Sequence, residues 1–133
     1  MTALTRLRPY APLLLRLFCA WKLFDAAGHT ALHPAEGLPG YAEWLRSLGF
    51  PFPLLSAGLS AYGEFLGGIM LLLGWKTRWA AGVLIVNFLL AVVVGHLATG
   101  DTYANTFPAL VLLATSVFLL LNGPGKPSVD DGL

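Results

Sequence analysis

The 133-residue sequence predicts an all-α polytopic membrane protein: a four-transmembrane-helix antiparallel bundle with an interfacial helix between the first and second spans. Three observations carry this expectation. Hydrophobic residues make up 56% of the chain and charged residues only 11%, far below the roughly 25% charge of a soluble domain. Four long apolar runs stand out, at about 10–28, 53–73, 79–98 and 103–121. None alternates as a strand does, and lipid offers the backbone no hydrogen-bond partners, so helices are what such runs adopt. At about 20 residues per span the runs consume most of the chain. A single membrane domain over 1–133 is expected, with no room for a separate soluble catalytic domain.

The first span begins after Arg6 and Arg8 and contains Arg16, Lys22 and Asp25. These charges, and the lack of a small-residue cleavage site, make it a retained helix rather than a signal peptide. Arg16 lies near one boundary, where it is expected to snorkel toward phosphates. The connection 29–52 is too long for a turn and too apolar for a solvated linker. Within it Tyr41, Trp44, Leu45 and Leu48 share one helical face ahead of Gly49 and Pro51, the pattern of an amphipathic interfacial helix. The remaining connections are tight, so consecutive spans are expected as antiparallel neighbours. In the second span Ser56, Ser60, Gly63 and Gly67 form a small-residue stripe with Glu64 at its edge, including a GxxxG match. Whether that stripe packs within the chain or between copies stays open.

Orientation follows from lysine and arginine. Arg6, Arg8, Lys76 and Arg78 flank one side and only Arg46 the other, placing both termini in the cytoplasm of a multi-pass protein of the cell (inner) membrane. The net charge of +1 offers no surface for nucleic acid. The single cysteine, Cys19, sits in an apolar run and reads as a small packing residue.

An ionised group near the bilayer centre costs about 2.5 to 3.5 kcal/mol on insertion scales, so each one present needs a partner, a cavity or a function. At 1.5 Å per residue, Lys22 and Glu64 fall at similar depth, about 18 and 14 Å from the inner boundary, and Asp25 and His96 at about 22 and 25 Å. Two pairs are therefore expected, Lys22 with Glu64 and Asp25 with His96. Phe18, Lys22, Asp25 and His29 share one stripe of the first helix, expected to face the bundle. Asn87 and His96, nine residues apart, lie on opposite faces of the third helix; His96 is the one assigned to the site.

Lys22, Asp25, Glu64 and His96 together form the candidate binding site, a buried polar cluster, with Glu64 and His96 the candidates for proton transfer. With histidine neutral the cluster's formal charge is minus one, so Glu64 or His96 is expected to take up a proton. A site poised between two protonation states suits quinone chemistry, in which protons accompany electrons. The competing expectation is a salt-bridge network that only fixes helix packing. His29 and His33 belong to the loop. No haem, flavin or metal is expected: facing histidine pairs, nucleotide fingerprints and ligand spacings are all missing from the sequence.

The same residues carry a resemblance to the DoxX family. Trp44-Leu45-Arg46-Ser47-Leu48-Gly49-Phe50-Pro51-Phe52-Pro53 resembles its short helix closed by a Leu-Gly-x-Pro turn. Glu64-Phe65-Leu66-Gly67-Gly68, Leu71-Leu72-Leu73-Gly74, Thr77-Arg78-Trp79-Ala80-Ala81, His96 and Asn122-Gly123-Pro124-Gly125-Lys126 follow in the family's order, as does Lys22-Leu23 before them. The resemblance implies a small four-helix integral membrane protein, and by association quinone-linked redox or stress-defence chemistry with electrons supplied by a partner. Three functions stay in play: a membrane subunit of a quinone-linked oxidoreductase, a noncatalytic anchor docking a soluble or membrane redox partner through its outer loop, and a small solute or proton transporter. Contact with the lipid bilayer is common to all three, and the transporter reading calls for a homo-oligomer, since four helices enclose little volume.

Overall fold

The computed structural model describes residues 2–131, and among these every regular element is a helix. A short α1 (Thr2–Leu7) leads through a single 3-10 turn into α2 (Ala11–Leu32). Then come α3 (Pro34–Ser47), α4 (Pro53–Leu73), α5 (Thr77–Leu90), which continues as a π-helix over Ala91–Leu97, and α6 (Tyr103–Asn122). Three of these, Pro53–Leu73, Thr77–Leu97 and Tyr103–Asn122, are long and apolar enough to cross a membrane. Helix α2 is as long, at 22 residues, but Arg16, Lys22 and Asp25 interrupt its apolar character.

Local sequence sets the ends of these helices. Pro12, Pro34 and Pro53 stand in the first turns of α2, α3 and α4, where a missing N–H costs nothing. Gly49, with φ of 89°, closes α3, and Gly74, with φ of 67°, closes α4, left-handed positions suited to glycine. Thr102 caps α6 by accepting from the Asn105 amide at 3.2 Å.

Small residues decide which faces meet. On α2 the buried stripe is Arg16, Cys19, Ala20, Leu23, Ala27 and Ala31, recurring every three to four residues. It packs on α4, where a Cβ placed on Gly68 would lie 2.9 Å from the Phe24 ring and 3.3 Å from Leu23. Gly63 and Gly67 face α5, a Cβ at Gly67 meeting Leu84 at 3.2 Å. The GxxxG stripe is thus consumed inside the chain, a close approach of the kind small residues permit. Leu23, Leu71, Leu84, Phe88, Leu112 and Leu119 complete the core between α2, α4, α5 and α6. A smaller cluster of Ala42, Leu45 and Ala57, flanked by Tyr41 and Leu48, seats α3 on α4.

One end of the bundle is tied together by its tail. Lys126 N donates to Pro9 O at 2.8 Å, Val129 N to Leu73 O at 3.0 Å and Asp130 N to Gly74 O at 2.9 Å. Arg16, expected to reach outward, is 1% exposed. Its guanidinium donates to Pro124 O (3.2 Å) and Pro127 O (2.8 Å). The tail folds back over the position a snorkelling side chain would have occupied, and its carbonyls offer Arg16 closer partners than phosphates. Asp130 accepts from the amides of Lys76 (2.6 Å) and Thr77 (2.8 Å), so a residue more than fifty positions away caps the N-terminus of α5.

Candidate functional site

Helix α3 lies across α4 and α5 and roofs a cavity of about 440 Å³. Tyr41, Trp44, Leu45 and Leu48, the face expected from the helical spacing, all line it. Leu59, Val83, Val86 and Leu90 form its other wall and are themselves exposed, so the cavity is open at the exposed apolar surface of α4 and α5. Gly95 sits on the π-helical segment beneath the Trp44 indole; a Cβ there would lie 3.2 Å from the ring. A side chain at that position would press on the indole, so glycine there favours the close seating of α3.

Across this apolar chamber runs a single polar seam. Tyr41 Oη donates to Ser60 Oγ (2.7 Å), Ser60 Oγ to Asn87 Oδ1 (2.7 Å), and Asn87 Nδ2 to Glu64 Oε1 (2.9 Å). Ser60 and Glu64 are one turn apart on α4 and share a face. Asn87 answers them from α5, four residues beyond Val83 and three beyond Leu84, the two residues that meet Gly63 and Gly67. The small-residue contact thus turns Asn87 into the cavity. All four polar side chains are half-buried, and each has a partner suited to its chemistry, so the seam keeps hydrogen-bonding capacity in a place where it is costly. Burial holds the Tyr41 phenol above its usual range, and the nearby Glu64 charge acts in the same sense against the bond to Ser60, so at neutral pH Tyr41 presents an intact O–H.

The four sequence candidates do not converge. Glu64 is in the cavity wall. Lys22 and Asp25 pair with each other at 3.6 Å, their side chains 47% and 68% exposed, and Lys22 does not pair with Glu64. His96 follows the cavity-lining Gly95 but engages the Asp101 carboxylate through Nδ1 at 2.8 Å, not Asp25. Phe18, Lys22, Asp25 and His29 do share a stripe, but it is an exposed one. The competing stripe of smaller residues on α2 allows closer backbone approach and takes the core position. His29, expected in the loop, lies in the last turn of α2, which runs on to Leu32, and pairs with Glu36 at 3.4 Å beside His33. No group of three or more His, Cys, Asp or Glu side chains is arranged to hold a metal among the described residues. Cys19 is buried in the core, as a packing residue would be.

The residues that sequence reasoning left out of the site are Tyr41, Ser60 and Asn87. Tyr41 and Ser60 were visible as members of an apolar helix face and a small-residue stripe. Asn87 was visible only as a polar residue in a span, and choosing it over His96 requires knowing which face of α5 meets α4.

A family model for DoxX matches residues 11–97, from the start of α2 to the end of the π-helical segment, and so includes every residue of the cavity. The chain belongs to the DoxX family. It is 30% identical over 101 residues to the inner membrane protein YphA of Escherichia coli (strain K12), the match covering 71% of this chain and 72% of that one. No solved structure matches the chain. As a DoxX protein with three apolar helices of membrane-crossing length, it is a multi-pass membrane protein.

Proposed function

We propose that this DoxX protein is an integral membrane subunit of a quinone-linked oxidoreductase or redox-defence complex, and that the cavity under α3 receives a quinone headgroup. The observation that carries this reading is the polar seam Tyr41–Ser60–Asn87–Glu64 along one wall of an otherwise apolar chamber that is open at the exposed apolar surface of α4 and α5. A ligand that travels within the bilayer needs a lateral entrance, and a ring with carbonyl or hydroxyl groups needs a few placed donors and acceptors. The chamber's volume lies within the usual range for small-molecule sites, and Trp44 and Phe50 offer flat faces. A bound quinone would supply two-electron, two-proton chemistry. Tyr41 would turn its single O–H from Ser60 to a carbonyl oxygen, and Glu64, fixed by Asn87, would hold or release a proton at the same wall. Electrons would arrive from a soluble or membrane partner.

The same reading makes α2 the fourth span. Its 22 residues reach about 33 Å at 1.5 Å per residue, enough to cross a bilayer core. It packs along α4, itself of membrane-crossing length, with Phe24 against Phe65 and the Ala31 carbonyl bonded to Tyr62. Arg6, Arg8, Lys76, Arg78 and Lys126 gather at the end tied by the tail, and Arg46 lies on α3. The excess of positive charge favours the tied end as cytoplasmic, with α3 as an interfacial helix on the other side. The name of the Escherichia coli relative supports the inner membrane as location.

The test is mass spectrometry of lipids co-purifying with the protein in mild detergent, for wild type, Glu64→Gln and Tyr41→Phe at matched phospholipid content. Quinone enriched over the bulk membrane ratio in wild type and depleted in the folded variants is the expected result. Equal, bulk-level quinone in all three would remove the quinone from this site.

A further inference from the structure

The Lys22–Asp25 pair lies on the outside of the chain, near the middle of α2 and alongside the half of α4 nearer the tied end. Two contacts fix its depth. Leu23 and Phe24 are level with Gly68, and Ala31 is level with Tyr62, both positions well inside α4. Lys22 is adjacent to the first level, and Asp25 lies between the two. Both side chains are substantially exposed at 47% and 68%. Beside them Phe18 and Trp21, 58% and 69% exposed, pack their rings 6.4 Å apart on the same side of α2. Charges at such a depth face protein or water-filled space, not hydrocarbon. An exposed tryptophan is at home at a membrane interface, not at mid-depth. Both features call for a protein surface over this face of α2.

We infer that the Phe18, Trp21, Lys22 and Asp25 face of α2 binds the same face of a second copy of this chain. The charge pattern chooses that occupant. The patch holds one positive and one negative group, so its complement must also hold one of each. In a two-fold dimer about the membrane normal the two α2 helices run parallel, and the same patch meets itself. Lys22 and Asp25 are offset by three residues, about 4.5 Å along the axis, within the reach of a lysine side chain. Each lysine then meets the aspartate of the other copy, and the aromatic pairs close around the four charges. The GxxxG stripe is not available for this contact, because α5 already covers it.

This inference rests on α2 being a membrane span, as proposed above, and not on the identity of any ligand. Its experiment counts subunits, so it fails separately from the quinone reading. Full-length protein is reconstituted at low density in phospholipid vesicles and counted by single-molecule photobleaching. Wild type is expected to be dimeric. Lys22→Asp alone and Asp25→Lys alone, which make the patch all negative or all positive, should each lower the dimer fraction at least tenfold. Mixed together, the two single variants should pair with one another, and the double variant Lys22→Asp/Asp25→Lys should dimerise like wild type. As a probe that leaves the charges in place, Phe18→Cys should cross-link between copies with a short bis-maleimide, whereas Val86→Cys on the α5 surface should not. Monomeric wild type, single swaps that dimerise normally, single variants that fail to pair, or equal cross-linking at both positions would each overturn the inference. Labelling of a Trp21→Cys protein by a membrane-impermeant maleimide would overturn it together with the fourth span.

Discussion

Asn87 donates its amide N–H to Glu64 Oε1 at 2.9 Å across the seam between α4 and α5. That bond is the structural centre of the cavity wall, because the same asparagine accepts from Ser60 and so fixes the seam as far as Tyr41. It also joins the two helices that line the cavity opposite α3. Side-chain hydrogen bonds between membrane helices contribute modestly, about 0.6 kcal/mol on average and up to about 1.7, so its value can be tested directly.

A double-mutant cycle of Asn87→Leu and Glu64→Met should give a coupling of about 0.5 to 1.7 kcal/mol in reversible unfolding in detergent. Additive effects would mean that the two side chains do not act as a pair.

Gly95 permits Trp44 to lie against the π-helical end of α5. Gly95→Val should push the indole and α3 outward, changing Trp44 emission and lowering the co-purifying quinone proposed for this chamber, while α4, α5 and α6 keep their helicity. A variant with unaltered Trp44 fluorescence and full ligand retention would show that the contact does not close the chamber.

Arg16 is the fastening of the tail. Arg16→Met leaves the Pro124 and Pro127 carbonyls without their partner, a loss of about 2 kcal/mol, or about a 30-fold rise in the population of the released tail. Endoproteinase Asp-N, which cuts before Asp130, should cleave the variant correspondingly faster in the tail with the helices left intact. An unchanged cleavage rate would place the tail's stability elsewhere.

Asp130 gives the tail a pH dependence whose sign is fixed. Burial alone would raise its carboxyl, but the bonds from Thr77 and Lys76 and the charge of Arg16 outweigh it and hold it below the ordinary 3.8. A carboxylate with a depressed folded pKa contributes stability that is fully present above its unfolded value and lost as pH falls through the folded one. The tail should therefore stay docked at neutral pH and loosen only in acid below about pH 4. Hydrogen exchange at the Val129 and Asp130 amides as a function of pH measures this. Asp130→Asn should be looser throughout and lose the acid-dependent step, and an acid-dependent step of undiminished size in that variant would assign the effect to another group.

Much of the fold was legible in the sequence because its physical cause is local. Apolar runs and glycine at Gly49 and Gly74 mark most span ends within a few residues, but the connection expected over 29–52 is largely helical: α2 runs on to Leu32 and α3 starts at Pro34, seven residues before the Tyr41 face. The Tyr41, Trp44, Leu45 and Leu48 face of α3 follows from helical spacing and reappears intact over the cavity. Glu64 was identifiable as a costly group beside a small-residue stripe, and it does occupy the cavity wall.

The sequence by itself determined that the chain is helical, where its three most apolar helices lie, and which charges need an explanation. The tertiary structure alone decided how each helix is rotated. On α2 two stripes satisfy the same periodicity, and the one with Cys19, Ala20, Leu23 and Ala27 is buried because small residues let α4 approach closely at Gly68; the charged stripe was left outside. On α5 the approach of Leu84 to Gly67 chose Asn87 over His96, and at the other end a returning tail captured Arg16. These outcomes depend on fit between surfaces distant in the chain. Periodicity fixes which residues share a face, but only packing against a partner fixes which face turns inward.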